Sequence, residues 1–183
     1  MERLSRTVLV IFGLTGDLSK RKLLPALYHL TRRGLLPDGF RILGISRKGT
    51  TVSDVIALVR DALSRGDNPR ETESAEGEAA LARLERMFSI LDMDISDEGD
   101  YGLLAEALDG VDREAGEPLN RLFYLAIPSS LFGTVTARLG KRDINRHEPG
   151  GRECRFLIEK PFGESLETAR TLIERLDGDF DES

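Results

Sequence analysis

Six consecutive residues, Thr7 to Phe12 (TVLVIF), are β-branched or apolar and run straight into Gly13. A run without polar alternation reads as a strand buried on both faces, the condition inside a parallel sheet covered by helices. Leucines then recur at helical spacing from Asp17 to Arg33, and Gly34 supplies a helix stop. Pro25 lies inside that stretch, so the helix is expected to kink or restart near Leu24. The chain thus opens with a strand, a glycine turn and a helix.

The pattern repeats. Further strands are expected over Phe40 to Ser46, Phe88 to Met93, Arg121 to Ile127 (closed by Pro128) and Cys154 to Ile158. Helices are expected over Ser53 to Leu63, Glu78 to Met87, Glu98 to Leu108 (with Gly110 beyond), Ser129 to Leu139 (serine-capped) and Glu164 to Leu176. Arg65 to Gly77 is polar and reads as a surface loop or a disordered stretch. Strands alternating with helices imply right-handed crossovers, hence an α/β, doubly wound parallel sheet of the Rossmann-like kind. One domain over residues 1–176 with a short tail, 177–183, fits the 183-residue length.

Composition removes several classes. Hydrophobic residues are 40% and charged residues 32%, a balance suited to a packed globular fold. The run Val8 to Phe12 is far short of the ~20 apolar residues that cross a bilayer, so no membrane association is expected. The net charge of −6 argues against nucleic acid as a partner. A single cysteine, Cys154, excludes an internal disulfide and a multi-thiolate zinc site, and suits a reducing cytoplasm. The charge is uneven: residues 1–50 hold ten Lys/Arg against three Asp/Glu, a balance of +7. That asymmetry fits a polyanion site near the start of the chain, or chance clustering on a solvated face.

In such sheets ligands sit at the carboxyl ends of the strands. The first strand ends in Gly13-Leu14-Thr15-Gly16-Asp17-Leu18 where the helix opens. Glycines allow a tight turn, and the free amides and dipole of the helix head attract an anion. Thr15 adds a hydroxyl, and Asp17 or Ser19 is placed to cap. The spacing is G-x-x-G, so a plain strand-to-helix turn remains the alternative; no P-loop motif is present. After the second strand, Ser46-Arg47-Lys48 offers two cations where NAD-preferring sites place a carboxylate. Arg47 is suited to a ribose 2′-phosphate, which favours NADP, with NAD as the alternative cofactor. Two exposed loop cations are the plainer reading.

The segment Gly13 to Leu23 resembles the G-x-x-G-D-L-x-x-[RK]-K-L signature of glucose-6-phosphate dehydrogenases. Arg41 to Arg47 (RILGISR), Phe123 to Pro128 (FYLAIP) and Ile158 to Gly163 (IEKPFG) match further blocks in the same order. The resemblance covers only that family's coenzyme domain. It implies oxidation of the C1 hydroxyl of glucose 6-phosphate to a lactone, with hydride passing to NADP. It implies that Gly13, Leu14, Thr15, Gly16, Asp17 and Leu18 form the dinucleotide turn and that Arg47 holds the 2′-phosphate. Asp94 and Ile95 would lie near the adenine, and Tyr124, Ala126, Ile127 and Pro128 along the coenzyme groove. Lys22 would lie close to the phosphates of both ligands. Lys160 would touch sugar and coenzyme, aimed by Pro161.

The family takes the hydroxyl proton with a histidine in a D-H-Y-L-G-K-E motif, and these 183 residues end before that motif would begin. His29 and His147 stand in other contexts, and Glu159 alternates away from Lys160 on its strand. No catalytic residue is therefore assigned, and the chain by itself is expected to be inactive, with glucose 6-phosphate a partner only of a full-length form. The alternatives are a non-catalytic NADP-binding module and a truncated paralogue. An uncovered docking face would further favour self-association or a homo-oligomer.

Overall fold

A computed structural model describes residues 6–47, 49–66, 70–146 and 151–159. Five strands form one sheet: β1 (Thr7–Phe12), β2 (Arg41–Ser46), β3 (Phe88–Asp92), β4 (Asn120–Leu125) and β5 (Cys154–Ile158). Their order is β3-β2-β1-β4-β5, and every pairing is parallel. The expected doubly wound architecture is the one observed. β1 is central and all six of its residues are buried, as its unbroken apolar run required.

Alternate residues of β1 feed two cores. Val8, Val10 and Phe12 join α4 (Asp100–Ala115) and α5 (Phe132–Gly140) on one face. Leu9 and Ile11 join α1 (Leu24–Arg32), α2 (Val52–Ser64) and α3 (Ala75–Met87) on the other. Helices change face between β3 and β4, so the chain leaves β1 and β4 in opposite directions. A crevice must open at that switch, beyond the strands' carboxyl ends.

Local chemistry sets the helix starts. Thr51 heads α2 with a full capping box: its hydroxyl accepts from the Asp54 amide at 3.2 Å, and the Asp54 carboxylate accepts from the Thr51 amide at 2.8 Å. The Thr51 hydroxyl, which donates to the Asp54 carboxylate at 2.7 Å, and then the Thr51 amide hold the Asp54 carboxyl below its usual range. The restart near Leu24 is present. Ser19–Leu23 form a wide π turn in which the Leu24 amide reaches the Ser19 carbonyl, and Pro25 occupies the first turn of α1. Proline has no N–H for the preceding turn, so the ladder widens there.

Four expectations need correction. The polar stretch is in part structured: Glu71–Glu73 form a 3-10 turn, Thr72 is buried, and α3 starts at Ala75 because Ser74 caps it through the Gly77 amide at 3.0 Å. Gly77 permits this, since a Cβ there would lie 2.1 Å from the Glu71 carbonyl oxygen. α4 does not stop before Gly110 but continues to Gly116, whose φ of +76° ends it, because Val111 still has a core to bury against. No serine caps the helical segment after Pro128, which begins as a 3-10 turn, Ser129–Leu131. Neither Asp17 nor Ser19 caps the first helix. The expected helix over Glu164 to Leu176, the tail 177–183, Lys160, Pro161 and His147 lie outside the described residues.

Candidate functional site

The turn after β1 is built by three internal bonds. The Gly16 amide donates to the Gly13 carbonyl at 2.9 Å, and the buried Ser19 hydroxyl donates to the same carbonyl at 2.9 Å. The Leu14 amide reaches the Ile45 carbonyl of β2 at 3.2 Å. Gly13 holds a φ of +80°, and a Cβ there would stand 2.5 Å from the Ala126 carbonyl oxygen. Only glycine lets the turn pass that close to the end of β4. Leu14 is fully buried and lies across Gly44 of β2, where a Cβ would fall 2.3 Å from its Cδ2. Thus Gly44 is a socket for the leucine that locks the turn to the sheet.

Helical backbone opens at Asp17, and the first i→i−4 bond runs from the Lys20 amide to the Gly16 carbonyl at 3.0 Å. The amides of Asp17, Leu18 and Ser19 precede that bond, so the helix gives them no acceptor. Such a head favours an anion.

A groove of about 380 Å³ lies beside this turn. Gly13, Thr15 and Gly16 form one side; Ile45, Ser46 and Arg47 continue it from β2. Met93, Asp94, Ile95 and Ser96, after β3, form the far wall. Ala126, Ile127, Pro128 and Leu131, after β4, form the opposite rim. Among the described residues Arg47 is its single cation and Asp94 its single carboxylate. One Asp94 oxygen already accepts the Ser96 amide at 2.8 Å, so that carboxylate is engaged by its own loop.

The groove brings together nine of the residues singled out in the sequence: Gly13, Thr15, Gly16, Arg47, Asp94, Ile95, Ala126, Ile127 and Pro128. The other described ones lie elsewhere. Leu14 and Leu18 pack in the α1 core, Asp17 faces Arg21 at 3.5 Å near the surface, and Lys22 is exposed on the first helix. Tyr124 is buried in that core, not on the groove, and its hydroxyl donates to Glu159 Oε1 at 2.9 Å. Burial, then the bond to Glu159, push its pKa to about 12. His29 stands edge-on to Tyr28, 3.7 Å from Glu71. Cys154 packs at the edge of the core under α4 and α5, its sulfur 3.2 Å from the Arg146 carbonyl.

Sequence reasoning passed over Ile45, Ser46, Met93, Ser96 and Leu131. A signal for four of them was available. They stand at or just past the carboxyl ends of β2 and β3, where ligand contacts concentrate. Leu131 is brought in by the 3-10 turn after Pro128, which the sequence did not announce.

A glycine turn at a helix head, a cation beyond β2 and a crevice at the switch point define a Rossmann-like domain of the dinucleotide-binding class. The family model "Glucose-6-phosphate dehydrogenase, NAD binding domain" matches residues 10–183. Glucose-6-phosphate 1-dehydrogenase 2 of Mycobacterium tuberculosis is 36% identical over 174 residues, 95% of this chain and 33% of that protein. The Leuconostoc mesenteroides enzyme is 32% identical, over 97% of this chain and 34% of that protein. A solved glucose-6-phosphate dehydrogenase in complex with glucose 6-phosphate superposes with a TM-score of 0.80 at 31% identity, over 99% of this chain and 36% of that one. The Mycobacterium avium enzyme does so at 0.75 and 33%, over 97% and 35%. The chain belongs to the glucose-6-phosphate dehydrogenase family, an oxidoreductase family, and carries its nicotinamide-cofactor domain. It spans about a third of the length of the relatives it matches.

Proposed function

We propose that the groove binds NADP in preference to NAD, as the coenzyme half of a glucose-6-phosphate 1-dehydrogenase. One observation carries the reading: the glycine turn, Arg47 and the Ala126–Pro128 rim converge on a single groove whose only carboxylate among the described residues is already bonded within its loop. The donor set fits a dinucleotide. Amides of the helix head take the pyrophosphate, the Arg47 guanidinium takes the 2′-phosphate, and the apolar side chains of Ile45, Met93, Ile95 and Ile127 cover the rings. Bound NADP supplies the hydride acceptor. This chain's residues bind it, orient it and shield it.

Glucose 6-phosphate is the proposed substrate of a polypeptide that also carries the rest of the family's length. Lys160 and Lys22 are its proposed contacts from this domain. A polypeptide of these 183 residues alone binds the coenzyme and does not turn over: proton removal from the C1 hydroxyl needs a base, and the one carboxylate among the described groove residues, Asp94, is bonded within its own loop.

Calorimetry of the 183-residue chain with NADP and NAD, each with and without glucose 6-phosphate, tests the reading. Tighter NADP than NAD, with no effect of sugar, is expected. Absence of heat with either nucleotide, or equal affinities, refutes it. Steady NADPH formation with both substrates refutes the claim of inactivity.

A further inference from the structure

The far wall of the groove is held in an unusual way. Beyond β3 the chain runs as Met93-Asp94-Ile95-Ser96, with no ladder partner among the described residues after the Met93 amide, which donates to the Ser46 carbonyl at 2.9 Å. Side chains of two helices take over. The Asp100 carboxylate of α4 accepts the Asp94 amide at 2.8 Å. The Tyr101 hydroxyl of α4 donates to the Ile95 carbonyl at 3.1 Å. The Arg138 guanidinium of α5 donates to the same carbonyl. Arg138 also lies over the Tyr101 ring, 5.7 Å from its centre.

Two donors on one carbonyl, one of them charged, is a strong clamp. Tyr101 is fully buried and its ring cannot move away without opening the core. Arg138 is different. It is half-buried, and its other side lines an open cleft with Glu98, Lys141 and Arg142. Lys141 answers Glu98 at 3.1 Å, which leaves Arg138 to serve the Ile95 carbonyl. Its guanidinium is therefore the accessible half of the clamp.

We infer that Arg138 is a positioning residue for the coenzyme: acting through the Ile95 carbonyl, it holds the Met93–Ser96 wall against the adenosine half of the dinucleotide. This rests on the coenzyme reading above. The wall is contributed by the segment after β3, whereas the pyrophosphate amides come from the β1 turn. Loosening Arg138 should thus weaken one half of the ligand and spare the other.

The test uses Arg138→Met and Arg138→Lys in the full chain, with adenosine 2′,5′-bisphosphate and inorganic pyrophosphate as separate probes. Losing a charged hydrogen bond predicts about tenfold weaker bisphosphate binding in Arg138→Met, about threefold in Arg138→Lys, and pyrophosphate within about twofold in both. Amide exchange at Ile95 and Asp97 should quicken by about tenfold in the Met variant while Val135 in α5 stays unchanged. Bisphosphate affinity equal to wild type, or equal loss of both probes, overturns the proposal. Should Arg138→Met not fold, the Lys variant decides alone, and a change under about twofold overturns it. A wild-type chain that binds neither probe instead sinks the coenzyme reading on which this rests.

Discussion

Gly13→Ala tests the groove at its tightest point. Two costs can be read from the structure. A side chain at φ +80° pays the left-handed strain of about 1–2 kcal/mol. The new Cβ would also stand 2.5 Å from the Ala126 carbonyl oxygen, which must retreat by about 0.5 Å to reach even 3.0 Å. That oxygen is backbone, and its residue is tied to β1 by the Ala126 amide on the Phe12 carbonyl at 3.0 Å. Breaking that bond adds about 1 kcal/mol, for a total of about 2–3 kcal/mol. At about 2–4 °C per kcal/mol for a chain of this size, Tm should fall by about 5–10 °C. Gly34→Ala is the control. It has a φ of +65° with nothing within 4 Å of the added Cβ, so it incurs the backbone strain alone. Both substitutions also restrict the unfolded chain equally, so their difference isolates the close approach. The assay is paired thermal melts with calorimetry for NADP. Gly13→Ala should lose about 1 kcal/mol more than Gly34→Ala and lose nucleotide binding, because the displaced residue lines the same groove. Equal melting points for the two variants, with binding intact, would refute the reasoning.

Other outcomes follow from single sites. Arg47→Glu should weaken NADP by at least about tenfold more than NAD, since only the former carries the phosphate it repels; parallel losses in calorimetry contradict the assignment. Burial is the leading cause raising the pKa of all three tyrosines, Tyr28, Tyr101 and Tyr124, the last to about 12. A raised tyrosine pKa means that the neutral hydroxyl's stabilisation is fully present below pH ~10 and disappears as pH climbs through the folded value. Tyrosinate absorbance should therefore stay low through pH ~10 and rise at higher pH with unfolding, and Tyr124→Phe should flatten the loss of stability between pH ~10 and about 12. A normal titration near pH ~10 in the native chain would count against this. Asp112 joins Arg152 at 2.7 Å, the buried Arg121 at 3.6 Å and the Leu119 amide at 3.0 Å. Asp112→Ala should cost about 3–5 kcal/mol in urea unfolding, and more than Arg121→Met, because it takes from the buried Arg121 its nearest carboxylate and leaves it Asp109 at 4.0 Å.

What the chain's letters determined is what depends on near neighbours. The buried run Thr7–Phe12, the glycine after it, the Pro25 restart and the strand-helix alternation each follow from local sterics and hydrophobic pattern, and right-handed crossovers then leave few sheet orders. The glycine turn and Arg47 were legible for the same reason: they stand at strand ends, where the fold places ligands. Contacts between distant segments were not. Tyr124 matched a groove block in the sequence but turns into the α1 core, because β4 alternates and its neighbour on that face is covered. Gly110 read as a stop, yet α4 runs on, because burial of Val111 outweighs about 1 kcal/mol of glycine cost. Only the folded packing could bring Arg138 to the Ile95 carbonyl, 43 residues away in sequence, and lay Leu14 over Gly44. Close packing fixes such pairs through shape and unsatisfied backbone groups, and neither is written in any local window of the chain.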